Sequence, residues 1–252
     1  MARSDGKEVK KIEKAAKKNK VAVVLGANIR GKNGNRYNVY NAILFINKHG
    51  KLVNVHYKTI ASHTEKQFWA SGNAGSIRSV KLQGLKVTGV SCWEARNPLT
   101  VAQIAFQAPD LVFLPTQDWV NKNNNGPYMI DSQYIARNSH SYVLASSVMF
   151  NWKNIKKYHP KLYKYWKSKN VSLMVTKKSL FPGGGIALSP YGDKIEEIQP
   201  STIGMLQIEV DTNEIKRSLA LHSITDSYRL EKDYTFYVDG KKITGIGPRR
   251  IY

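Results

Sequence analysis

The chain has 252 residues, 42% of them hydrophobic and 23% charged, which supplies a substantial core and excludes wholesale disorder. Lys and Arg number 39 against 18 Asp and Glu, a formal net charge of +21 that favours polyanions and anionic surfaces, although the lysines are spread along the whole chain. A single cysteine excludes an internal disulfide, no apolar run approaches the ~18 residues that span a bilayer, and the charged N-terminus lacks a signal-peptide apolar block, so one cytosolic α/β domain without membrane contact is expected.

Asp5 to Asn19 reads as an amphipathic helix, with Asp5 and Glu8 at capping-box spacing and Val9, Ile12 and Ala16 on one stripe. Lys20 to Gly26 is a buried strand. It runs into GANIRGKN, where Gly26, Gly31 and Lys32 have the spacing of a phosphate-binding loop. Asn33 stands where that loop needs Ser or Thr, and a strand follows where it needs a helix, so the glycines are expected to form a hairpin loop. Tyr37 to Ile46 and Leu52 to Tyr57 make a hairpin turning at His49-Gly50 and leading directly to Lys58. A loop from Thr59 to Gly75 carries His63, Glu65, Phe68 and Trp69. Ser79 to Leu82 and Leu85 to Cys92 are strands joined at Gln83-Gly84.

Thr100 to Ala108 and Pro127 to Ser139 read as helices, Asp110 to Pro115 and Tyr142 to Val148 as buried strands. Strand, helix, strand, helix, strand from Leu85 to Val148 is a parallel α/β pattern. Asn151 to Lys178 breaks it with lysines interleaved among Trp152, Tyr158, Tyr163, Tyr165 and Trp166. Such interleaving suits a single-stranded nucleic-acid groove, but no recognisable binding module surrounds it, and an insertion packed on the domain or on a partner subunit is the favoured reading. Phe181 to Ser189, Lys194 to Ile198 and Gly204 to Val210 read as strands, Glu214 to His222 as a short helix, and the tail from Tyr228 is polar.

Two spots carry chemistry. Lys58 with Glu65 and Cys92 with Glu94 each lie at or just after a strand end, where side chains face a crevice. A cysteine attacks carbon as its thiolate, which a neighbouring lysine favours, and the same lysine stabilises an oxyanion. A carboxylate takes or carries the proton. No histidine sits in a recognisable cysteine-protease setting, no serine-hydrolase elbow is present, and no spacing suggests metal ligands; no cofactor is expected. A lone cysteine is equally often a small buried hydrophobe.

The order of segments resembles the nitrilase superfamily of carbon–nitrogen hydrolases. YNVYNAILFINKHGKLVNVHYK is similar to its hairpin leading to the catalytic lysine, TEKQFWASGN to the loop with its second glutamate, and GVSCWEARNPL to its nucleophile motif. DLVFLPT, IARNSHSYVLAS and FPGGGIALSPYGD resemble later landmarks, so the similarity runs from about Lys10 to Asp211. It implies a nitrilase-like four-layer α-β-β-α sandwich over residues 1–252, N-terminally shortened, with a basic aromatic insertion at about 151–178. It implies Cys92 as nucleophile, Lys58 as oxyanion stabiliser, Glu65 as the second glutamate, the Trp93 N–H as an oxyanion donor, and Glu94 as a brace of the turn. The substrate would be a nitrile or small amide, cleaved through a thioester, and the protein a homo-oligomer. The family's first glutamate, the general base, lies upstream of the segment that Asp5 to Gly26 resembles, and Tyr57 replaces the usual arginine before the lysine. A catalytically inactive nitrilase-fold interaction protein is the alternative, ahead of a nucleic-acid binder.

Overall fold

The structure is a computed structural model and describes residues 2–33, 36–116, 127–168, 179–200, 202–222 and 237–242. A four-stranded sheet is built from β1 (Ala2–Arg3), β2 (Val23–Asn33), β3 (Arg36–Ile46) and β4 (Leu52–Tyr57), in that order, with α1 (Lys7–Asn19) between β1 and β2 in the chain. A six-stranded sheet has the order β10-β9-β8-β7-β6-β5. Its strands are β5 (Val80–Leu82), β6 (Leu85–Gly89), β7 (Leu111–Thr116), β8 (Tyr142–Asn151), β9 (Ser179–Leu188) and β10 (Lys194–Ile198). Strands β6, β7 and β8 are parallel, joined through α2 (Pro98–Gln107) and α3 (Pro127–Ser139), as the alternating pattern predicts. The remaining elements are α4 (Trp152–Tyr158), α5 (Pro160–Ser168), α6 (Thr212–His222), and a small hairpin of β11 (Tyr237–Val238) with β12 (Lys241–Lys242) that the sequence reading did not anticipate.

Strand alternation sorts the apolar side chains into layers. Ile43 and Phe45 of β3 face Val87, Leu111 and Tyr142 of the other sheet, making the inter-sheet core. Their neighbours Ala42 and Leu44 point the opposite way and pack with Ile29 against Val9 of α1. On the large sheet Val112, Leu114, Val143 and Ala145 turn outward to Val101 and Ile104 of α2 and to Ile135 and Ala136 of α3. The layers run α1, small sheet, large sheet, α2 with α3: the expected α-β-β-α sandwich. Phe45 is fully buried at its centre and its ring approaches Gly89, just ahead of the cysteine turn. Phe45→Ala is expected to cost about 3–5 kcal/mol in urea unfolding, from lost burial plus the cavity left behind.

Three local expectations change. Gly6, not Asp5, is the N-cap of α1, and no side chain caps it; Glu8 is thereby the second helical residue, one short of capping-box register. Gly26 and Gly31 do not form a loop but lie inside β2, paired with Ile43 and Asn38 of β3, which removes the phosphate-loop geometry altogether. Gly31 is there for space: a Cβ would sit 3.0 Å from the Tyr40 ring. Finally, residues 204–210, expected as a strand, join no sheet among the described residues. Leu206, Ile208 and Val210 are part-buried and Met205 is 81% exposed, so the alternation is real while no described strand pairs with it. On the small sheet β1 pairs with β2 only at Ile29 and Arg30, and among the described residues Val23 to Asn28 have no strand on that edge. Beside residues 202–206 a cavity of about 440 Å³ exposes Phe113, Leu144, Gly185, Ile198 and Leu206.

Within the basic aromatic insertion the described part is helical. Trp152 stacks edge-on with Tyr163 and Ile155 is buried, whereas Tyr158 and Tyr165 face outward. Residues 169–178 and the tail segments 223–236 and 243–252 lie outside the described residues. No helix among the described residues is long and apolar enough to cross a membrane.

Candidate active site

Strand β4 carries the site. Its inward face, continued by the residue just past its end, reads Asn54, His56, Lys58, three polar side chains at period two, exposed by only 4%, 1% and 2%. Buried polar groups of this kind must be paired, and each is. Arg78 donates to Asn54 Oδ1 at 3.1 Å. His56 lies between Ser76 Oγ at 2.8 Å and Glu94 Oε2 at 2.9 Å. Lys58 Nζ donates to Glu65 Oε2 at 2.6 Å and to Ser62 Oγ at 3.0 Å. Tyr57 points the other way, packing 4.7 Å from Tyr40 on the α1 side, so the residue that departs from the family's usual arginine faces away from the site.

Two turns of the same design deliver the acidic partners. His63–Gln67 and Cys92–Arg96 are single 3₁₀ turns, each opened by a serine with a glutamate three residues on. In both, the glutamate reaches back to the serine backbone: Ser62 N–H donates to Glu65 Oε2 at 2.7 Å, and Ser91 N–H to Glu94 Oε2 at 2.7 Å. The same carboxylates then reach β4. Glu65 takes Lys58, while Glu94 takes His56 and, through Oε1, both the Thr59 N–H at 2.7 Å and the Thr59 hydroxyl at 2.6 Å. Since Thr59 follows Lys58, Glu94 ties the cysteine turn to the strand end that presents the lysine. Burial works to raise the Glu94 pKa, but hydrogen bonds from His56 and Thr59 and the His56 charge outweigh it, and the carboxyl ends below its ordinary value.

Cys92 is half-buried and has φ +56°, a left-handed backbone uncommon for a residue with a Cβ. Strand β6 ends at Gly89, three residues short of the expected Cys92, so the cysteine stands on a tight turn beyond the strand. Trp93 is exposed, its ring covered by the Arg96 guanidinium at 4.6 Å, and Arg96 binds Asp131 of α3 at 2.9 Å. The turn is therefore anchored on both sides, to β4 by Glu94 and to α3 by Arg96.

Gly72 closes the lysine side. Its N–H donates to the Lys58 carbonyl at 2.8 Å, and a Cβ there would run into the backbone carbonyl of Tyr57. Gly72→Ala must push the loop off β4. It is expected to lower the unfolding free energy by about 1–3 kcal/mol, as a forced backbone shift does, and to speed proteolysis within residues 59–75.

Of the residues expected at the site, Lys58 and Glu65 are in direct contact, and Cys92, Trp93 and Glu94 share one turn joined to the same strand end. The sequence reading passed over His56, Ser62, Ser76 and Ser91. A signal was available: SHTE and SCWE are both Ser-x-x-Glu, and N-V-H-Y-K alternates polar with bulky residues. The 440 Å³ cavity lies along β8 and β9 and is lined by none of Cys92, Lys58 or Glu65.

Comparison with known proteins bears on the family and the fold. Nitrilase 1 of Arabidopsis thaliana is 24% identical over 213 residues, covering 84% of this chain and 58% of that protein. A nitrilase of Talaromyces marneffei is 25% identical over 244 residues, covering 90% of this chain and 70% of that protein. The chain thus spans less than two thirds of the length of the plant nitrilases that it matches, 58%, 59% and 61% for three of them from Arabidopsis thaliana. Among solved structures, Nit3 of Saccharomyces cerevisiae, a member of branch 10 of the nitrilase superfamily, superposes with a TM-score of 0.65 at 17% identity over 89% of this chain and 72% of that one. A carbon–nitrogen hydrolase of Helicobacter pylori G27 gives 0.64 at 13% identity over 85% and 70%. The carbon-nitrogen hydrolase family model matches residues 2–217, and the chain belongs to that family.

Proposed function

We propose that the chain hydrolyses a carbon–nitrogen bond of a nitrile or small amide through a thioester on Cys92. The observation that carries this reading is the double tether. Glu94 fastens the cysteine turn to Thr59, and the adjacent Lys58 is held by Glu65 and Ser62, so the turn that bears the nucleophile is tied to the strand end that presents the cation.

For an amide, the Cys92 thiolate attacks the carbonyl carbon and the carbonyl π pair moves onto oxygen. The Lys58 ammonium and the Trp93 N–H receive that oxyanion. Glu94 has four donors on its two oxygens and no capacity left for a proton. Glu65 has only Oε2 engaged among the described residues, and its side chain is 24% exposed, so it is the carboxylate assigned the thiol proton. That proton goes to the departing nitrogen as the C–N bond breaks and ammonia leaves. Water then attacks the thioester, Glu65 takes its proton, and the acid departs as the thiol is restored. With a nitrile, the thiolate adds to the nitrile carbon and the thiol proton goes to nitrogen, giving a thioimidate; one water adds across its C=N bond and reaches the tetrahedral intermediate from which ammonia leaves.

A non-catalytic interaction protein on the same fold is the second reading. It is favoured by the site holding just two glutamates among the described residues, one of them saturated. Mass spectrometry separates the two: incubation with a panel of short nitriles and amides should put an acyl increment on the Cys92 peptide. No increment and no ammonia with any member leaves the interaction reading.

A further inference from the structure

The His56 imidazole is exposed by 1% and both of its nitrogens are committed. Nε2 faces a carboxylate oxygen of Glu94, which only accepts. Nδ1 faces the Ser76 hydroxyl, whose single proton has its own acceptor in the Asn73 carbonyl at 2.8 Å. The Ser76 oxygen then accepts from Nδ1–H. Ser76 does not choose this geometry alone: Gln103 of α2 donates to the Ala74 carbonyl at 2.8 Å and the Ile77 carbonyl at 3.1 Å, which fixes the short turn Ala74–Ser76 on which it sits. Proton accounting therefore puts an N–H on each ring nitrogen.

Charge accounting agrees. Glu94 is 5% exposed, and its other three donors, from Ser91 and Thr59, are neutral. A buried carboxylate needs a cation. Of the other cations on this face, Lys58 is paired with Glu65, and Arg78 donates to Asn54 at the far end rather than to Glu94. The lowered Glu94 pKa, to which the His56 charge contributes, is consistent with that pairing.

We propose that His56 is a positioning residue in its doubly protonated form, a buried imidazolium that clamps Glu94 and so holds the Cys92 turn against the end of β4. This deepens the hydrolase reading, since the pair it aligns is the proposed nucleophile and oxyanion cation. The substrate is touched by neither His56 nor Ser76. The imidazolium acts through Glu94, by keeping both carboxylate oxygens aimed at Ser91 and Thr59.

The test uses the full chain with ¹⁵N-labelled histidine. Long-range ¹H–¹⁵N spectra at pH 7, with the His56 signals assigned by their disappearance in His56→Gln, should show protonated shifts at both ring nitrogens. Ser76→Ala, which leaves the ring itself in place, should convert one of them to the unprotonated shift. A single protonated nitrogen in the unmodified protein overturns the imidazolium. The positioning role is read on Cys92, the only cysteine. Its second-order alkylation by iodoacetamide needs no turnover. His56→Gln and Ser76→Ala should each change that rate at pH 7 by about tenfold or more, in the direction of loss, as a misplaced reacting group does. Val87→Ala, a core change on β6 with a matched loss of Tm, should leave it unchanged. Equal alkylation in wild type and Ser76→Ala overturns the positioning role, and does so whether or not the protein releases ammonia.

Discussion

Cys92→Ala will reduce ammonia release from nitriles and amides to the uncatalysed background, a loss of up to about 10⁶-fold if the thioester route carries the reaction. Cys92 holds the only sulfur nucleophile in the chain, and alanine leaves nothing at that position to attack carbon. Alanine also retains the backbone of the turn, so Glu94 keeps its hydrogen bonds to Ser91 and Thr59 and the protein should remain folded. Lys58→Met should cost less, about 10²–10³-fold, the usual range for one oxyanion partner. That variant carries a second effect which Cys92→Ala lacks. It strips Glu65 of its cation while Ser62 N–H remains, so part of its loss is a displaced carboxylate rather than a missing charge on the substrate. Glu65→Gln separates the two, because the amide keeps a contact to Lys58 but cannot take a proton. Equal ammonia from wild type and Cys92→Ala would remove the hydrolase reading and leave the family fold untouched.

What the sequence exposed and what it hid follow a physical division. The parallel run β6-α2-β7-α3-β8 is legible because its strands are short apolar runs that alternate with helices of crossover length, α2 and α3 each opening on a proline. Residues 204–210 show the limit of the same method. Leu206, Ile208 and Val210 alternate with Met205, Gln207 and Glu209, and the alternation reports which face is buried. It says nothing about whether a neighbouring strand supplies the hydrogen bonds, and here no described strand does. Gly26 and Gly31 failed in the opposite sense. They were read through backbone freedom, whereas their reason is room for the Pro115 and Tyr40 side chains, which no local window contains.

At the site the division is between residues that react and residues that hold. Lys58, Glu65 and Cys92 stand out through chemistry and motif order. His56 and Ser76 are twenty residues apart and meet only because α2 pins the Ala74–Ser76 turn beside β4. Asp5 and Glu8 have capping-box spacing, yet Gly6 takes the cap of α1. The two real capping boxes, Ser62 to Glu65 and Ser91 to Glu94, sit in short 3₁₀ turns with no apolar periodicity behind them, and a search tuned to helices passes over both.

Glu94→Gln should destabilise the protein by about 3–5 kcal/mol at neutral pH, the cost of breaking a buried ion pair from one side. The carboxylate receives four donors, and an amide can accept with only one of its two ends. Whichever way the amide is turned, its NH₂ faces either the Thr59 donors or Ser91 and His56. The pH dependence identifies the interaction. Burial raises the Glu94 pKa, but the His56 hydrogen bond, the His56 charge and the Thr59 donors together hold it below the ordinary 4.5. A carboxyl depressed by folding binds its proton more weakly in the native state than in the unfolded chain, so its stabilisation is fully present above pH 4.5 and is lost as the pH falls through the lower native value. Urea unfolding free energies of the wild type should accordingly fall on acidification below that point. The Glu94→Gln protein starts lower and should show a shallower fall over the same window, because the residue that releases the stabilisation is gone. A wild-type and variant pair whose curves stay parallel through that acid range would mean that Glu94 is not held as a carboxylate, and the tether between the Cys92 turn and β4 would have to be rebuilt without it.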